Sequence, residues 1–125
     1  MTPTQMEDAV AINALCQQVH SANQKWWHDL HTGKPLKRNV GEMLMLVVSE
    51  LAEAMEGHRK GLMDTHLPNR PMLEVELADC AIRIFDIAAG LKLDLGGAFV
   101  EKCAYNATRA DHQRAARLLP GGKAY

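Results

Sequence analysis

Strand formers are what this sequence has least of. Val, Ile and Thr are sparse, aromatic residues make up 5% of the chain, and period-two alternation of apolar and polar residues is hard to find, which argues against a sheet-based fold. An excess of one charge is also missing. Fourteen Lys and Arg stand against 15 Asp and Glu, a net charge of -1 near neutral pH, so no global basic field exists to hold a nucleic acid polymer or an anionic membrane. No apolar segment approaches the length of a membrane span. The opening "MTPTQMEDAV" carries an acidic pair in place of a basic leader and apolar stretch, and the expectation is a soluble, cytoplasmic protein. Cysteine is limited to Cys16, Cys80 and Cys103, odd in number and far apart, a pattern that fits reduced core filler better than a disulfide framework or a zinc site.

What the chain does have is Ala, Leu, Met, Glu, Lys and Gln in abundance, the residues of helices. At 125 residues it is expected to form one domain, with a core of about 4–118 and a loose tail over 119–125. Four helices are predicted. The first runs from about Thr4 to Leu30, and the polar stretch "HTGKPLKR" separates it from the second. Asn39 with Glu42 three residues on forms a capping-box signature that starts helix two, and Gly61 ends it. Pro71 opens helix three, which reaches about Ala89 before Gly90. Asp94 can cap helix four, which has to tolerate Gly96 and Gly97 in its first turn and is expected to stop at Pro120. The short loops make successive helices antiparallel neighbours, so the fold class is all-α, an antiparallel four-helix-type bundle.

Helix two places Met43 to Val48 around every direction of the wheel, so this stretch is expected to be surrounded by protein. Glu50 and Glu53 follow one turn later, about 60° apart on one face. Helix three is apolar around most of its circumference, with Glu76, Asp79, Arg83 and Asp86 confined to a stripe roughly 80° wide. Alone, either acidic dyad is a solvated face with intrahelical ion pairs. Two dyads on the two most apolar helices, joined by one loop, would gather four carboxylates at one place. Crowded carboxylates in a low-dielectric site resist ionisation unless cations neutralise them. The donors are all hard oxygens, which favours Mg2+, with Mn2+ as a substitute, over zinc. No Glu has a His three residues later, which disfavours a di-iron bundle. Mg2+ on a few carboxylates leaves positions for water and substrate phosphates, so phosphate-ester or phosphoanhydride chemistry is the natural reaction class.

These residues resemble the all-α nucleoside triphosphate pyrophosphatases, the superfamily of MazG-like proteins, dimeric dUTPases and dCTP pyrophosphatases. The likeness rests on "SELAE", with Glu50 and Glu53, and "ELAD", with Glu76 and Asp79, and 22 residues separate Glu53 from Glu76. It extends to "WWHDLHTGKPLKRN" upstream and to Lys102, Asn106 and Arg109 in "EKCAYNATRADH" downstream, covering roughly residues 22 to 112. Ser49 departs from the common EExxE form, which leaves the number of metal ions open.

The resemblance implies a MazG-like homo-oligomer that cleaves a nucleoside triphosphate between its α and β phosphates. Glu50, Glu53, Glu76 and Asp79 would be the Mg2+ ligands. Glu53, with Glu50 as the other catalytic glutamate, would take the proton from the attacking water.

Lys102, Asn106 and Arg109 recur at helical steps of four and three, offering two cations and an amide to phosphate oxygens. Trp27 and His31 share one side of a helix, and Trp27 is the expected platform for a nucleobase. Asn39 could cap helix two and still position sugar or base. The apolarity of helices two and three points to a homodimer or a dimer of dimers. The competing expectations are a non-catalytic helical oligomerisation module with a structural cation site, and a related phosphohydrolase acting on a nucleoside diphosphate.

Overall fold

The computed structural model describes residues 1–125 and is all-helical. Its order is α1 (Pro3–Ala22), a single 3-10 turn (Gln24–Trp26), α2 (Val40–Lys60), α3 (Met72–Gly90), α4 (Leu95–Thr108), a second 3-10 turn (Ala110–His112) and α5 (Arg114–Arg117). Extended pairing is limited to two isolated bridges, His28 with Pro35 and Met63 with Pro71. No helix is long and apolar enough to cross a membrane. The chain divides into two compact units, Ala14–Leu93, and Met1–Asn13 with Asp94–Tyr125.

The first of these units is built on α2 and α3. The Asn39 side chain accepts from the Glu42 N–H at 2.9 Å, satisfying one orphan donor at the start of α2. Gly61 closes the helix in the left-handed region, φ 62°, its N–H directed to the carbonyls of Gly57 and His58. In the following loop the buried Asp64 carboxylate accepts the N–H groups of His66 and Leu67 at 2.9 and 2.7 Å. This reverses the chain, and α3 returns antiparallel to α2. Gly57 lies against Met72, Glu50 opposite Arg83, and the Val47 carbonyl beside Cys80 Sγ. A Cβ on Gly57 would fall 2.8 Å from Met72 Cβ, so glycine sets how closely the two helices approach.

The predicted first helix is too long. It ends at Ala22 because the segment after Trp27 is committed to a different set of bonds. The Asp29 carboxylate accepts the N–H groups of His31 and Thr32, Gly33 takes φ 69°, and the Asp29 and Leu36 N–H groups reach the Lys34 and Trp27 carbonyls at 2.8 Å. Such local side-chain bonds compete with helix continuation.

In the second unit Asp94 caps α4, accepting from Gly97 N–H at 2.9 Å, while Asn13 donates to Asp94 at 2.7 Å and accepts from Gly96 N–H at 2.8 Å. Gly96 abuts the Ala9 carbonyl, where a Cβ would overlap backbone. Gly96 therefore serves the close approach of α1 at Ala9, while Gly97 makes room for the Asp94 carboxylate that caps α4. Helix α4 stops at Thr108 and does not reach Pro120. Arg109 is extended and forks onto Asp111, and the Gln113 amide donates to the Ala107 and Arg109 carbonyls, replacing the bonds that a longer helix would have made. Residues near the C-terminus are tied down by Arg117, which donates to the carbonyls of Lys123 and Ala124 at 3.0 and 2.6 Å.

Two burial expectations also change. Cys16 and Cys80 are buried, but Cys103 is exposed. Of the run Met43–Val48, Met43 is enclosed, whereas Leu44, Met45 and Val48 stay about half exposed in the single chain. Leu44, Val48, Leu51 and Met55, at steps of four, three and four, form one uncovered apolar stripe along α2.

Candidate functional site

Antiparallel α2 and α3 bring the two acidic motifs together. Carboxylate oxygens of Glu50, Glu76 and Asp79 lie within 4.8 Å of one another. Glu53, the fourth expected member, is within hydrogen-bonding reach of Glu50 and Glu76 but stays exposed and outside that tight group. Glu76 is 7% exposed, and its Oε2 is buried with no hydrogen-bond partner. Burial first, then its hydrogen bonds and repulsion with Glu50 and Glu53, push the Glu76 carboxyl up to about 8. Burial also raises Glu50, but hydrogen bonds from Arg83 and Glu76 outweigh it and hold Glu50 below its ordinary value. Asp79 is raised by burial and by the charge of Glu50, against the pull of Arg83.

These directions describe one arrangement. Glu76 keeps a proton and shares it with ionised Glu50, while Arg83 Nε donates to Glu50 Oε1 at 2.9 Å from the other side. A proton and a guanidinium together supply the positive charge that the cluster requires. The orphaned Glu76 Oε2 and the all-oxygen donor set fit a hard divalent cation.

A cavity of about 610 Å3 opens from this cluster, within the usual size range of small-molecule sites. Glu50, Asp79 and Arg83 line one part, and Asn23, Trp26, Arg38 and Asp86 line the rest with Leu46 and Ile82. Trp27 does not line it. The Trp27 indole N–H donates to both oxygens of the buried Asp86 at 3.0 and 3.1 Å, His20 Nδ1 bonds the same carboxylate at 2.8 Å, and the His20 and Trp27 rings meet edge to face. The indole packs against Gly90 so closely that any Cβ there would collide with it. Its exposed neighbour Trp26 is the tryptophan presented to the cavity.

The remaining expected residues are dispersed. His31 is exposed on the loop after Trp27 and is not stacked beside it. Asn39 is engaged as the α2 cap. Lys102, Asn106 and Arg109 belong to the other unit. There Lys102 and Arg109 lie over the Tyr105 ring, Arg109 is paired with Asp111 at 2.6 Å, and Asn106 Oδ1 is buried without a partner.

The sequence points to neither Asn23 nor Arg38, favours Trp27 over Trp26 as the base platform, and assigns Asp86 no role. Asp86 was legible in principle, being the last member of the acidic stripe on α3. Comparison with protein-family models, curated proteins and solved structures finds no match for this chain.

The Glu76 shift gives a pH dependence of fixed sign. Between about pH 5 and pH 8 the folded protein holds a proton that the unfolded chain, with Glu76 near its ordinary 4.5, has released. Stability without metal therefore falls as pH rises through that window. Cation binding to the folded state opposes the fall, more strongly at pH 8 than at pH 5.5, because Glu76 gives up its proton only toward the upper end of the window. Thermal unfolding in EDTA should give a lower Tm at pH 8 than at pH 5.5, and Mg2+ should restore several degrees at pH 8. Glu76→Gln should flatten both effects; a Tm that rises with pH in EDTA would contradict the assignment.

Proposed function

We propose that the protein is a Mg2+-dependent nucleoside triphosphate pyrophosphohydrolase, cleaving between the α and β phosphates to release the monophosphate and pyrophosphate in clearance of the nucleotide pool. The observation that carries this reading is the buried, unpartnered Glu76 oxygen among converging carboxylates at the mouth of a nucleotide-sized cavity. The resemblance of "SELAE" and "ELAD" to the MazG-like motifs supports it further.

Glu50, Glu76 and Asp79 hold the ion on this reading, and Glu53 completes the set from its exposed position. Mg2+, when bound, neutralises phosphate oxygens and makes its water a stronger acid. Glu53 accepts the proton of the attacking water, because among the four acids it is the one open to solvent. Arg83, on the same cavity wall, would offer its guanidinium to the phosphates.

The uncovered stripe on α2 is assigned to a second copy of the chain, giving a homodimer or dimer of dimers. Leu51→Lys, in the middle of that stripe, should shift the protein to a monomer in sedimentation equilibrium. A wild-type protein already monomeric at tens of micromolar would remove the assignment.

One observation favours a second reading. The Arg83–Glu50 ion pair is what a purely structural acidic cluster would contain, and the protein would then be a non-catalytic helical module. Incubation with a panel of dNTPs and Mg2+, with products separated by chromatography, distinguishes the two. Monophosphate with pyrophosphate is expected, inorganic phosphate would indicate a different cleavage, and no turnover would leave the structural module. Glu53→Gln should lower kcat by about 100-fold or more while keeping the helical circular dichroism spectrum. Unchanged turnover would take Glu53 out of the proton transfer.

A further inference from the structure

Asp86 is the one carboxylate on the cavity wall that the proposed chemistry leaves without a task. It lies seven residues after Asp79 on α3, about 10 Å along the helix at 1.5 Å per residue, a distance that a sugar and a base fill when the phosphates lie at the acidic cluster. Only 8% of its surface is exposed, and two donors from outside α3 fix its orientation. His20 Nδ1 must carry the proton in its bond to Asp86, since a carboxylate only accepts, and the Trp27 indole is donor only. Both contacts are shortest to Oδ1. Oδ2 takes only the longer branch of the Trp27 bond, at 3.1 Å, and a carboxylate offers about four acceptor directions. Acceptor capacity is therefore left over on a rigid group that lines the cavity. Trp26 supplies an apolar face on the same wall, and Arg38, held over the Trp27 ring at 5.4 Å, brings the donors.

Taking the nucleotide-binding reading as its basis, we propose that Asp86 is the specificity-determining residue of this cavity and accepts a hydrogen bond from the exocyclic amino group of a nucleobase. An oxo group at the same position turns lone pairs toward a carboxylate, so uracil is disfavoured against cytosine and hypoxanthine against adenine. A site built to bond a substrate N–H rejects the analogue lacking it because its own buried polar group is left unpaired.

The test is calorimetric binding of monophosphates to the wild-type protein in Mg2+ buffer, which needs no turnover. Two pairs, dCMP against dUMP and dAMP against dIMP, separate a pyrimidine amino group from a purine one. At least one amino-bearing member should bind roughly tenfold or more tightly than its oxo partner. Asp86→Asn, which keeps the volume and adds an amide donor, should bring that ratio toward one. A role confined to holding His20 and Trp27 would weaken both members equally and leave the ratio unchanged, which overturns the proposal. Equal affinities within both pairs, tighter binding of the oxo bases as expected if Arg38 reads them, or no binding of any monophosphate overturn it as well. If Asp86→Asn fails to fold by circular dichroism, the wild-type pairs decide alone. An amino preference without hydrolysis of any dNTP would sink the hydrolase and leave this proposal standing.

Discussion

Carboxyl groups forced side by side between two helices repel one another, and the unit formed by Ala14–Leu93 is organised around meeting that cost. Glu76 is too deeply placed to ionise without help, so it retains its proton at neutral pH and donates it toward Glu50. Arg83 completes the compensation from two turns further along α3. Neither partner is an ideal solution, because one Glu76 oxygen still has nothing to bond. An arrangement selected for stability alone would be served as well by apolar residues of similar size. The unpartnered Glu76 oxygen is the atom that a cation, on the proposed reading, would satisfy.

The helical elements were the most readable part of the chain because their signals are local. Asn39, Gly61 and Asp94 behave in the structure as their residue types demand, and α2 and α3 begin and end within a residue or two of the expected positions. Where the reading failed, distant or competing bonds were responsible. Helical propensity says nothing about Asp29 folding its own loop or Gln113 taking over the last carbonyls of α4. Gly96 and Gly97 read as obstacles to a helix, but the small size of Gly96 lets α1 come close at Ala9 and that of Gly97 admits the Asp94 cap.

The candidate site divides along the same line. Glu50, Glu76 and Asp79 were legible because spacing on two helices joined by one loop nearly determines that they meet. Trp27 departs from the helix-wheel expectation because the segment that carries it is not α-helical. With the chain turning after Ala22, Trp27 goes to Asp86 and Gly90, and Trp26 goes to the cavity. Asn23 and Arg38 flank that irregular segment, and no periodicity could have pointed to them.

On the proposed reading the stripe on α3 would serve two roles at two levels of the helix. Its N-terminal part, Glu76 and Asp79, belongs to the crowded cluster, where charge must be neutralised from outside the carboxylates. Its C-terminal part, Asp86, is already stabilised by His20 and Trp27 and needs no cation. Arg83 lies between them and faces Glu50 across the cleft. Like residue types thus acquire opposite electrostatic character from their neighbours alone: the first pair is pushed toward its protonated form, whereas Asp86 is held by two donors. One helix face can in this way present a cation-seeking end and a hydrogen-bond-reading end to the same cavity, separated by two helical turns. That polarity matches a ligand with phosphates at one end and a polar ring at the other.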